Sequence, residues 1–184
     1  MLMRRDRAQL LVVDPQERLL AAIPRGAEAV ARIRVLLRAA ARLGLPIAAT
    51  EHYPKGIGPL AGDVRAAMPN EAPVFEKIAF GAADDAAVAS WLDANRARGR
   101  DQVVLCGAEA HVCVLQTALG LIARGYAVFV VADAVASRAE ASVHAATARL
   151  LHAGGHWVTS EMAVFEWAER GDDLAFKDLL ALVK

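Results

Sequence analysis

Short apolar runs alternate with longer stretches whose apolar residues recur at helical spacing, and this alternation constrains the fold more than any other feature. The runs are Leu10-Leu-Val-Val-Asp14, Pro46-Ile-Ala-Ala-Thr50, Val74 to Glu76, Gln102 to Cys106, Ala127 to Ala132 and His156 to Thr159. Strands covered on both faces read as unbroken apolar runs of this kind. Between them, Val30, Ile33, Leu37 and Ala40 repeat along a helix from Gly26 to Leu43 that Gly44 ends. Further helices are predicted over Asp84 to Arg98, Val112 to Arg124 and Ser142 to His152, and around Phe176, Leu179, Leu180 and Val183. Glu51 to Pro69, rich in Gly and Pro, reads as mostly loop. The alternation predicts a single doubly wound α/β domain over residues 1–184. Its parallel six-stranded sheet would carry helices on both faces, a Rossmann-like three-layer arrangement.

Charge narrows the partners. Lys+Arg number 21 against Asp+Glu 21, so the formal charge is zero. Such a chain has no counterion-release drive toward nucleic acid and no attraction to anionic membranes. The expected partners are a small-molecule substrate and further copies of the chain, in a dimer or larger, since zero net charge favours association. The basic start, Met-Leu-Met-Arg-Arg-Asp-Arg, precedes only Ala8 to Val13, too short for a signal-peptide core. No apolar run approaches the roughly 20 residues of a membrane helix. Two cysteines, Cys106 and Cys113, make no disulfide framework and miss Cys-x-x-Cys. The chain reads as cytoplasmic and reduced.

In open parallel sheets, ligands bind where strands end at their carboxyl sides. Asp14 closes the first strand, Lys77 follows the third, and Cys113 opens the helix after the fourth. A carboxylate, an ammonium and a thiol can therefore converge on one edge. Rival motifs lack required parts. No Gly-x-Gly-x-x-Gly follows the first strand and no Gly-Lys-Ser/Thr loop occurs. A cysteine phosphatase needs an Arg six residues past its Cys, where Cys113 has Leu119 and Cys106 has Val112.

The segment Gly107-Ala-Glu-Ala-His-Val-Cys-Val-Leu-Gln-Thr-Ala-Leu119 resembles the nucleophile segment of the isochorismatase-like cysteine hydrolase family. Leu11-Val-Val-Asp-Pro-Gln16 is similar to that family's first catalytic segment, and Phe75-Glu-Lys-Ile-Ala-Phe80 to its lysine segment. Thr50-Glu-His-Tyr-Pro-Lys-Gly-Ile-Gly-Pro59 and Val131-Ala-Asp-Ala-Val-Ala-Ser-Arg138 resemble the isochorismatase domain-containing subgroup.

The resemblance implies Cys113 as nucleophile, Asp14 as base and Lys77 as third member of a catalytic triad, expected to hold Asp14 ionised and oriented and to favour the thiolate. It implies a cis peptide between Ala108 and Glu109, with the backbone N–H groups of Glu109 and Cys113 facing the substrate oxygen. Hydrolysis of an amide, imide or carbamoyl C–N bond through a thioester follows. A helix N-terminus and a nearby ammonium are expected to lower the thiol's pKa below its usual ~8.5.

Gln16, His52, Tyr53 and His111 are candidates for the substrate pocket. Where a related metal-containing branch carries an Asp and several His residues, this chain has only His52, and a metal site needs three or four ligands. No metal and no cofactor are expected. Asp133 reads as a helix cap or a partner of Arg138 at the end of the fifth strand. The competing functional readings are a catalytically idle member acting as an oligomeric binding or scaffold protein, and a thiol redox sensor. Cys106, on a central strand, is badly placed to serve the latter.

Overall fold

The computed structural model describes residues 1–184. Its six strands are β1 (Ala8–Val13), β2 (Ile47–His52), β3 (Val74–Lys77), β4 (Gln102–Ala108), β5 (Ala127–Ala136) and β6 (His156–Val158). They form one sheet in the order β3-β2-β1-β4-β5-β6, with every neighbouring pair parallel. β1 and β4 are the central pair, and the chain order runs outward from them in both directions. The crevice of a doubly wound sheet lies at this reversal, beyond the carboxyl ends of β1 and β4.

Both faces are covered, which is why β1 is buried at all six positions. Its side chains alternate between the layers, as a pleated strand requires. Leu10 and Val12 join one core with Ile33, Leu36 and Leu37 of α2 (Gly26–Arg42), Trp167 of α8 (Ser160–Ala168) and Leu179 of α9 (Phe176–Val183). Leu11 and Val13 join the other with Leu92 of α5 (Ala86–Arg96), Leu121 of α6 (Leu115–Ala123) and Leu150 of α7 (Glu140–His152). No helix is long and apolar enough to cross a membrane.

Element ends depart from the sequence reading in instructive places. Glu51 to Pro69 is not mostly loop: β2 continues to His52, and two short helices follow, α3 (Pro54–Ile57) and α4 (Gly62–Ala67). Pro54 opens α3 at a position where its missing N–H costs nothing. A further short helix, α1 (Glu17–Ala21), follows β1, and α8 adds another that apolar spacing did not announce. Asp85 caps α5 by accepting from the N–H groups of Ala87 and Val88, so the helix starts after the acidic pair.

β5 runs on to Ala136, past Asp133. The pairing with β4 is Leu105 to Val130 and then Gly107 to Val135, so the extra β5 residues form an irregularity between the two. Asp133 lies in that irregularity. Its carboxylate accepts from the Ser160 N–H (2.7 Å) and hydroxyl (2.6 Å), and Arg32 lies 3.6 Å away. It fixes the start of α8 and does not pair with Arg138.

Candidate active site

Asp14 is the first residue past β1 and has φ 49, in the left-handed region that Asp tolerates better than most residues. Its N–H donates to the Thr50 carbonyl at 3.1 Å, which continues the β1–β2 pairing and turns the side chain inward. Each carboxylate oxygen then has one short partner. Thr50 Oγ1 donates to Oδ1 at 2.6 Å, and Lys77 Nζ donates to Oδ2 at 2.6 Å. Lys77 is the last residue of β3, and β2 lies between it and Asp14. Its other two protons go to the carbonyls of Ala79 (3.0 Å) and Phe80 (2.9 Å). An ammonium has three donors, so all three are spent.

Cys113 approaches from the far side of β1. β4 ends at Ala108, the Ala108–Glu109 peptide bond is cis, and a π-helical turn (Ala110–Val114) leads into α6. Gly107 makes the approach possible. Its φ is +125, and a Cβ there would lie 1.9 Å from the Val13 carbonyl oxygen, one residue from Asp14. The Cys113 carbonyl is anchored by the Thr117 hydroxyl at 2.7 Å, and Thr117 in turn accepts from the Ala82 N–H.

Cys113 is only 5% exposed. Burial, more than any other cause, pushes its pKa up to about 12. Asp14 adds to the rise as a nearby charge and as acceptor of the thiol proton, Glu109 adds a second negative charge, and Lys77 opposes them. This corrects the lowered pKa expected from sequence. The ammonium is committed to Asp14, so the thiol meets a carboxylate before it meets a cation. The resting pair is a protonated sulfur beside an acceptor.

The other residues named from sequence are placed as follows. Glu109 is buried, and its Oε2 accepts from the Arg138 N–H (2.9 Å) and Nε (3.1 Å). His111 Nδ1 lies 3.0 Å from the Ser137 hydroxyl. Gln16 is fully buried and ties down the loop after β2. Its amide donates to the carbonyls of His52 (3.0 Å) and Gly58 (2.5 Å), and its oxygen accepts from the His52 N–H (2.8 Å). Tyr53 is half exposed, and its N–H donates to the Lys77 carbonyl. The His52 ring lies 5.0 Å from that of Phe80, and its Nδ1 is buried without a partner. Thr50 went unnoticed in the sequence, although it is the polar residue that closes the predicted second strand.

A cavity of about 740 Å³ opens between β5 and α7. It touches this cluster only through Ser137 and Arg138, the partners of His111 and Glu109, and Asp14, Lys77 and Cys113 do not line it. No three His, Cys, Asp or Glu side chains group closely enough to hold a metal ion.

Known proteins are similar to this chain in sequence and in fold. Isochorismatase domain-containing protein 1 of Danio rerio is 35% identical over 173 residues, which are 93% of this chain and 59% of that protein. The chain thus spans less than two thirds of that relative's length. The structure of MAR1 ribonuclease from Caenorhabditis elegans superposes with a TM-score of 0.93 at 32% identity, covering 100% of this chain and 92% of that one. The YcaC gene product of Escherichia coli, described as an octameric hydrolase of unknown specificity, superposes with a TM-score of 0.88 at 27% identity, covering 99% and 90%. The isochorismatase domain itself matches residues 8–162, the whole sheet and every helix before α8, and on that match the chain belongs to the isochorismatase family of hydrolases.

Proposed function

We propose that the chain is a cysteine-dependent hydrolase of a small amide, imide or carbamoyl C–N bond, with Cys113 as nucleophile, Asp14 as base and Lys77 as the group that holds Asp14 ionised. The observation that carries this reading is the buried Cys113 at a site whose carboxylate, Asp14, is pinned by Lys77 and Thr50. A thiol so far above its usual pKa attacks only if a base takes its proton in the same step.

As the C–S bond forms, the thiol proton passes to Asp14. The backbone N–H groups of Glu109 and Cys113 receive the carbonyl oxygen as it gains charge, a donor role typically worth about 2.7–4 kcal/mol each. Asp14 gives the proton to the leaving nitrogen, the C–N bond breaks, and a thioester remains on Cys113. Water then attacks the thioester, its proton going to Asp14, and the thiol is restored. Atoms balance with water as the only co-reactant, so the scheme uses no cofactor or metal.

The octameric relative supports a homo-oligomer here, and the exposed side chains of Ile78 and Phe80 beside Lys77 offer apolar surface for it. A nucleophilic thiol that must stay reduced suits the cytoplasm. The test is ammonia release from a panel of small primary amides. Cys113→Ala should abolish it, and Asp14→Asn should slow it about 10²–10⁴-fold. Release that survives Cys113→Ala would sink the reading, and folded protein inert toward every amide would favour an idle scaffold.

A further inference from the structure

We infer that this site selects uncharged substrates and turns carboxylates away, so that neither isochorismate-like acids nor RNA is its substrate. The inference rests on Cys113 being the nucleophile. It comes from where the charges around Cys113 stand and what each is already bound to.

Three charged side chains are buried there. Asp14 and Lys77 are both fully enclosed, and Glu109, at the turn leading to Cys113, is 6% exposed at its side chain. Two are negative and one is positive. Lys77 cannot turn toward an incoming anion without leaving Asp14, because Asp14, Ala79 and Phe80 take all its donors. Arg138 does meet Glu109, but its own side chain is 64% exposed, so water screens it in a way that it does not screen the buried carboxylates. The direction of the Cys113 shift agrees with this balance: after burial, its largest cause, Asp14 and Glu109 raise the thiol's pKa and Lys77 lowers it.

A substrate carboxylate or phosphate entering here would lose its hydration, face more buried negative than positive charge and find no buried cation free of a partner, Arg138 being exposed to solvent. An amide or carbamoyl group carries no such charge. Its carbonyl needs N–H donors, and its nitrogen needs a proton, which Asp14 would have just collected. The chain's zero formal charge supplies no long-range attraction for a polyanion either. Glu109 is thus a specificity determinant in addition to any role of its backbone.

Iodoacetamide and iodoacetate test this directly, because they share the reacting carbon and the leaving group and differ only in amide against carboxylate. Alkylation rates at Cys113 are read by peptide mass spectrometry and normalised to the same two reagents on N-acetylcysteine. The expected result is an iodoacetamide preference at least about tenfold above that of the free thiol, as like-charge opposition demands. Glu109→Gln should narrow it. A normalised preference near one, or a preference for iodoacetate, overturns the exclusion of anions while leaving Cys113 as nucleophile. A preference unchanged in folded Glu109→Gln removes Glu109 from the explanation. Failure of both reagents to label Cys113 in folded protein, with labelling restored in urea, overturns the nucleophile reading and this inference with it.

Discussion

Lys77 Nζ lies 2.6 Å from Asp14 Oδ2, and neither side chain reaches solvent. Two opposite charges taken out of water this completely are tolerated because every remaining donor and the other carboxylate oxygen are also satisfied, by Ala79, Phe80 and Thr50. Such a pair contributes little net stability compared with an apolar core, but removing one member leaves the other stranded.

Lys77→Met should therefore cost about 3–5 kcal/mol in denaturant unfolding, by leaving Asp14 charged and unpaired. Adding Asp14→Asn to that variant should recover a large part of the loss, since the stranded charge is then gone. A cost below about 1 kcal/mol for Lys77→Met would contradict a buried ion pair.

Gly107→Ala should damage both stability and activity, although the change adds one methyl group. The residue's φ of +125 strains any L side chain, at about 1–3 kcal/mol from backbone conformation alone, and the new Cβ would overlap the Val13 carbonyl. Relieving that overlap means moving β4 from β1 at the point where Asp14 and the Cys113 turn face each other. Thermal unfolding and the amide assay on the same preparation check it. A variant as stable and active as the parent would contradict the close approach.

Alkaline stability follows from the two thiols. Burial first, and a neighbouring carboxylate second, hold both above the ordinary thiol range: Asp14 for Cys113, pushed up to about 12, and Asp133 for Cys106. Above pH 9 the unfolded chain releases these protons and the native chain keeps them. Stability present below the unfolded value is therefore lost as pH rises toward the folded ones. Each group can contribute up to about 1.4 kcal/mol per pH unit. Cys106→Ala should lose stability more slowly than the parent between pH 9 and 11 in denaturant unfolding. Equal slopes would show that Cys106 titrates normally.

Much of the fold was legible because strands buried on both faces need no polar alternation, so β1, β4 and the core of β5 stand out as apolar runs. Their ends were less legible. Asp133 reads as a stop signal, yet β5 passes through it because Ser160, distant in sequence, satisfies the carboxylate. The helices α1, α3 and α4 are too short to show a period. Asp14, Lys77 and Cys113 could be found as polar residues at strand ends in segments resembling a known family. The full set of partners of each could not. The sequence puts a lysine and a helix start near Cys113, which argues for a thiolate. The pairing of Lys77 with Asp14 is implied by the resemblance, but only the tertiary contacts reveal that Ala79 and Phe80 take the rest of the ammonium, and that Thr50 holds the other carboxylate oxygen.

The central claim is that Cys113 carries the acyl group while Asp14 moves the proton. The most direct measurement is peptide mass spectrometry on protein acid-quenched during turnover of an uncharged primary amide that releases ammonia. A hydroxylamine-labile acyl adduct is expected on the Cys113 peptide, none on Cys106, and one that forms far more slowly in Asp14→Asn. Ammonia release with an adduct on another residue, or undiminished release by Cys113→Ala, would contradict it.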